Sequence, residues 1–275
     1  MTSGVGGVQD NRGDAILHQA FHRMFDTLFK TRRQRAAAIH FAASAFAAAL
    51  VFQVWYPGPY AAIAGGASLS VLLVGVDAVL GPLLTGVIAG HGKPTTEFRR
   101  DLVVIVLLRV AGLGYGLYSM ALARPVYVSF EIDRFRVVTA ADVDPAMLAE
   151  APAARRALPW MGPKLIAAVT PTDPGEQIRS VEFGLAGLDL SMILRNWGEY
   201  GTQVDAVWRA TKSVSALAAK YPQVRSRLAE IAVAAGQDMQ SLRYLPLVCR
   251  QSSWVVLVVM PGARMVGQLP VDGFL

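Results

Sequence analysis

Before residue 125 the chain carries three apolar stretches, Ala36 to Trp55, Ala67 to Ala89 and Leu102 to Leu122, each about the ~20 residues that a helix needs to cross a hydrocarbon layer. Runs of that length with so few charges predict three membrane-spanning helices and leave little room for another fold in the first half of the chain. The first run is rich in alanine and has A-x-A sites, so a cleaved signal sequence is the competing reading. Against it, the polar leader is long and another apolar run follows at once. Across the whole chain 53% of residues are hydrophobic and 17% charged, with a mean hydropathy of +0.39, well on the apolar side of ordinary globular composition.

The first run ends in VFQVWYPGPY, residues 51–60. Trp55 and Tyr56 are rings of the kind that settle at the headgroup level, and Pro57, Gly58 and Pro59 stop a helix, so the segment predicts a membrane exit. Lysine and arginine fix its side. Lys30, Arg32, Arg33 and Arg35 precede the first run, the loop at 56–66 has none, and the next loop has Lys93, Arg99 and Arg100. Positively charged loops stay in the cytoplasm. The N-terminus is therefore predicted inside, and residues 56–66 and 123–275 outside. The leader divides into a Gly-rich polar part, 1–13, expected to be disordered, and an amphipathic helix at about 14–30 lying on the inner leaflet. Asp14, His18 and His22 share a face of that helix and are read as solvated rather than metal-binding.

Two charges fall inside the apolar runs, Asp77 and Arg109. Each costs roughly 2.5–3.5 kcal/mol at the centre of a membrane helix and needs a reason. An ion pair locking an antiparallel hairpin, a polar contact to a partner, and a proton relay all remain open. Gly112 and Gly116 form a G-x-x-x-G face that admits close approach by another helix. Gly112, Gly114 and Gly116 lack the preceding strand that a phosphate-binding loop needs.

From residue 123 the pattern changes. RPVYVSFEIDRFRVV alternates with period two, predicting a half-buried strand with Val126, Val128, Phe130 and Ile132 on one side. Further strands are predicted at 164–169 and within LRYLPLVCR, SWVVLVVM and RMVGQLP, the last two joined by a Pro-Gly-Ala hairpin; helices are predicted at 205–220 and 222–235. Residues 123–275 thus read as an α+β domain with a largely antiparallel sheet. All four histidines precede it and the chain has one cysteine, Cys249, so histidine triads and cysteine zinc sites have no residues there. Glu131 with Asp133, or Asp142 with Asp144, are candidate acid/base pairs, although carboxylates beside Arg134 and Arg136 more commonly form surface ion pairs. No catalytic residue, cofactor, metal or nucleic-acid partner is expected.

The ordered segments VWYPGPY, GVDAVLGPLLT, RRDLVVI, GLYSMALARPVYVSFEIDRFRVV, LRYLPLV and VGQLPVDGF resemble the TfpX/TfpZ family of type IV pilin accessory proteins from about Ala36 to the C-terminus. The leader at 1–30 departs from that pattern. The resemblance implies a bacterial inner-membrane protein with a periplasmic C-terminal domain, which assists one type IV pilin in its stability or assembly, with the pilus assembly machinery as a further candidate partner. It supplies no catalytic residues. A membrane enzyme that modifies pilin or envelope polymers, and a plain scaffold of a secretion machine, are the other classes the residues allow.

Overall fold

The computed structural model describes residues 42, 46, 49–66, 95–250 and 253–275. The chain divides into two compact units, Met1–Leu50 and Val51–Leu275, and nearly all described residues belong to the second. The leader, with Asp14, His18 and His22, and the second predicted span, with Asp77, lie outside the described residues. Of the first predicted span residues 42, 46 and 49–55 are described, and all are helical.

The third predicted span lies within a 29-residue helix that begins earlier, Thr95–Ala123. Label this helix α2, after the single turn α1, Tyr60–Ile63. Among the described residues α2 is the helix long and apolar enough to cross a membrane, with Val106–Ala123 as its apolar stretch. Leu107, Val110 and Tyr115 are more than 60% exposed. By length and composition this stretch meets the requirement for a membrane span.

At Arg124 the chain leaves α2 and enters β1, Pro125–Glu131, followed by β2, Arg134–Thr139. The remaining strands are β3 (Lys164–Ala168), β4 (Trp197–Glu199), β5 (Lys212–Ser213), β6 (Arg243–Val248), β7 (Ser253–Val259) and β8 (Arg264–Leu269). They form one sheet in the order β4-β3-β1-β2-β6-β7-β8, with β5 beside β6. The sheet is largely antiparallel, as expected, but mixed. Five pairings are antiparallel, but β1–β3 and β2–β6 are parallel. Long connections permit this, because each returns the chain to the end of the sheet from which it started.

Both faces of the sheet are covered, which explains why several strands read as continuous apolar runs. In β7, Val255, Leu257 and Val259 join one core with the helices α5 (Val214–Lys220) and α6 (Arg225–Ala234) through Leu217, Leu228 and Ile231. Val256 and Val258 join the opposite core with Phe130, Phe135 and Leu247. That second core also takes in Val207 of α4, Val204–Ala210, and Ile63 of α1. Tyr60 and Ile63 of the 56–66 segment therefore pack into the core of the sheet, within the compact unit Val51–Leu275. Pro246 is tolerated inside the sheet because β6 changes partner there, from β5 at Arg243 and Tyr244 to β2 at Leu247 and Val248.

Several sequence expectations are corrected. The helix expected over 205–220 is two helices, α4 and α5, separated by β5. The expected 222–235 helix starts at Arg225 after a 3-10 turn. A helix not anticipated at all, α3, spans Pro174–Leu185. Ile132 does not continue the buried side of β1. It stands in the two-residue turn to β2, 71% exposed, with φ of +47°.

Candidate functional site

Two surfaces stand at opposite ends of β1. One adjoins the end of α2. The other lies seven residues further on, about 20 Å along an extended strand at ~3.3 Å per residue.

At the α2 end, Trp55 and Tyr56 are 6% and 1% exposed and pack against Met120. The Tyr56 hydroxyl donates to the Met120 carbonyl at 2.8 Å, and its ring stacks on Phe52 at 5.2 Å. An Arg124 amino group donates to the Ala121 carbonyl at 2.5 Å. These two bonds satisfy two of the four carbonyls that a helix leaves unpaired at its C-terminus. The rings placed by sequence at a membrane exit thus clasp α2 to residues 51–56. Pro57 is half-buried, and Gly58 and Pro59 are exposed at the turn, where Gly58 has φ of +58°. Tyr60 points into the domain. Burial pushes its hydroxyl up to about 12, against the opposing hydrogen bond with Gln268.

The exposed ring at this end is Trp160. It meets Trp55 edge-on at 5.6 Å, and the Arg124 guanidinium lies over it at 5.6 Å. Sequence reasoning passed over LPWMGPK, residues 158–164, although a Trp-Met pair between two prolines was a readable signal. Higher on α2, Gly112 is exposed, and among the described residues nothing lies within 4 Å of the position a Cβ there would take. Gly116 is half-buried. Arg109 lies on α2, but its side chain is outside the described residues, as is Asp77.

At the far end a cleft of about 740 Å³ opens beside the β1–β2 turn, lined by Glu131, Ile132, Arg134, Gln177, Val181 and Leu188 among others. The helix α3 forms one wall. Its start is encoded by TDPGE: Asp173 accepts from the Glu176 amide at 3.0 Å and Pro174 occupies the first helical position. Ile178, Val181 and Leu185 follow at helical spacing on α3, and all three are more than 60% exposed. At the cleft floor Glu131 is 6% exposed and accepts from the Ser191 amide at 2.6 Å. Burial raises its carboxyl above the usual range, with the hydrogen bonds from Ser191 and the nearby Arg136 opposing.

Asp133 and Asp189 line the same cleft as Glu131, but each is engaged by an arginine. Asp133 pairs with Arg134 at 2.7 Å, and Asp189 pairs with Arg136. Asp142 accepts from the Thr139 amide and hydroxyl at 2.9 and 2.7 Å and from Arg250 at 2.6 Å. Asp144 accepts from the Ala146 amide at 2.9 Å, capping the 3-10 turn at Pro145–Glu150. Asp144 therefore serves local backbone order, and Asp142 joins its own turn to Arg250. Among the described residues no group of three His, Cys, Asp or Glu side chains is arranged to hold a metal.

The family described as "Fimbrial assembly protein FimB" matches residues 29–65. Three curated relatives come from Dichelobacter nodosus. The fimbrial assembly protein of serogroup I is 32% identical over 234 residues, covering 82% of this chain and 90% of that protein. That of serogroup E1 is 33% identical over 217 residues, 77% of this chain and 83% of that protein. That of serogroups C1 and C2 is 38% identical over 113 residues, 40% of this chain and 86% of that protein. No solved structure matches the chain.

Proposed function

The chain belongs to the fimbrial assembly protein family, and on that premise we propose that it is a membrane-anchored accessory protein for a type IV pilin, stabilising the subunit in the bacterial inner membrane before assembly. The observation that carries this reading is the direct passage of an uncovered apolar helix, α2, into the first strand of the outer domain. A pilin, by the TfpX/TfpZ resemblance, has the matching form of an apolar helix and a globular head. The open notch at Gly112, on the same face as Gly116, suits close helix approach. The cleft between Ile132 and α3 suits a head, because apolar side chains exposed together mark interaction surfaces. Two weak contacts on one body reinforce each other through effective concentration. Lysine and arginine bias supports a cytoplasmic N-terminus and a periplasmic sheet domain.

Sheet edges are a poorer choice for the outer contact. Strands β1 and β2, residues 125–139, lie inside the sheet, and of the C-terminal strands β8 forms the border.

The test is made in the host bacterium with two double variants, Gly112→Leu/Gly116→Leu and Ile178→Asp/Val181→Asp. Each is expected to accumulate normally yet lower pilin abundance and co-purification. Unchanged pilin with both variants, at normal levels of the accessory protein, would overturn the chaperone role and leave the enzyme and scaffold classes.

A further inference from the structure

Strand direction decides which loop of the sheet domain sits beside the end of α2. β1 starts one residue after Arg124, and β3 runs parallel to it with Tyr127 opposite Lys164. β3 therefore starts at the same end of the sheet, and the residues just before it, 158–163, are returned to the base of α2. There Trp160 and Met161 are 65% and 69% exposed.

This exposure is imposed by the loop. The Gly162 amide donates to the Val54 carbonyl at 3.1 Å. Gly162 has φ of +45°, and a Cβ there would stand 3.0 Å from Pro57 Cγ, so any side chain there would be strained and would press on Pro57. Pro159 and Pro163 fix φ on either side. Trp160 is further braced by Trp55 and Arg124. The loop is thus clamped and still holds its two largest apolar side chains outward.

We propose that Trp160 and Met161 insert into the headgroup layer of the bilayer that α2 crosses, forming a second anchor that sets the depth and tilt of the sheet domain. The lipid surface is the fitting occupant because this patch stands at the end of α2, where Arg124, the residue after its last turn, lies over the Trp160 ring. Tryptophan with flanking cations, here Arg124 and the exposed Lys164, is also the composition that interfaces favour. This inference rests on the membrane reading of α2.

The full chain, in a Cys249→Ser background and reconstituted into phosphatidylethanolamine–phosphatidylglycerol vesicles, is spin-labelled singly at Met161→Cys, Leu113→Cys or Ser226→Cys. Accessibility to oxygen and to an aqueous nickel chelate is then compared. The expected oxygen preference is strong at 113, absent at 226, and at 161 several-fold above that at 226. A label at 161 that matches 226 while 113 reports lipid overturns the anchor alone. A label at 113 that reports water overturns the membrane reading first. A label at 161 closed to both reagents overturns the anchor in favour of a protein covering the loop. Should the cysteine variant misfold, Trp160→Phe gives the same decision. The tryptophan fluorescence lost in that variant must be quenched by lipids brominated near the headgroup, and an unquenched difference refutes the anchor.

Discussion

Ile132 occupies a left-handed backbone conformation, φ +47°, that costs a residue with a Cβ about 1–2 kcal/mol and disfavours β-branched side chains most. It gains little burial in return, being 71% exposed at the cleft lip. Strain kept at an exposed lip of the cleft fits the proposed contact with a pilin head. Asparagine visits this region readily, so Ile132→Asn is expected to raise unfolding stability by on the order of 1 kcal/mol while weakening pilin capture. Denaturant unfolding and co-purification check the two halves, and a loss of stability would contradict the strain. Glu131 gives a prediction in pH. Its folded carboxyl is raised by burial above the ordinary value of 4.5, so protonation favours the folded state. The corresponding stability is fully present below about pH 4.5 and is lost as pH rises through the folded value. Glu131→Gln removes that dependence. The variant's melting temperature minus that of the wild type should therefore be more positive near pH 7 than near pH 4.

Among the elements, the turn at 56–66 shows how tightly sequence and packing are coupled. A Cβ at Gly66 would meet the Tyr56 ring at 2.6 and 2.7 Å, and that ring is fixed by its bond to Met120. Gly66→Ala is expected to destabilise the protein by about 1–3 kcal/mol, as overpacking of a set core does. Tyr56→Phe should cost about 1 kcal/mol by removing the hydrogen bond to α2. Thermal unfolding of the detergent-solubilised chain measures both. These elements also show what the sequence could disclose. The strands β1, β3, β6, β7 and β8 were legible because their apolar runs are short and bounded by Gly and Pro. The helix α3 was missed because its marks, the Asp173 cap, Pro174 and a short apolar spacing at Ile178, Val181 and Leu185, are brief and local. Trp55 and Tyr56 read as interfacial rings from their place at the end of an apolar run. Their burial depends on Met120, 64 residues away from Tyr56, and no local pattern reports such a contact. The parallel pairings were hidden for the same reason, whereas the apolar character of α2 was plain in its composition.

Taken whole, the second unit joins residues from before and after the second apolar run into one core: Ile63 is fully buried among Phe130, Phe135 and Leu247. Residues 56–66 and the sheet must therefore share one side of any membrane the chain crosses. Cysteines introduced at Gly58 and at Ser215, both exposed, are expected to react with an impermeant reagent from the same face of intact vesicles, in a Cys249→Ser background. Opposite reactivity would dissolve that core assignment. The β2–β6 pairing has a further consequence, for biogenesis. Phe135 is complete in the core only when Leu247 lies opposite it, more than a hundred residues later, while Ile63 must wait for both. Such non-local closure is slow and leaves strand borders bare in the interval. During synthesis the nascent domain is therefore expected to stay open until its final strands have been made, so a stall before residue 243 should yield a proteolysed fragment and not a smaller folded one.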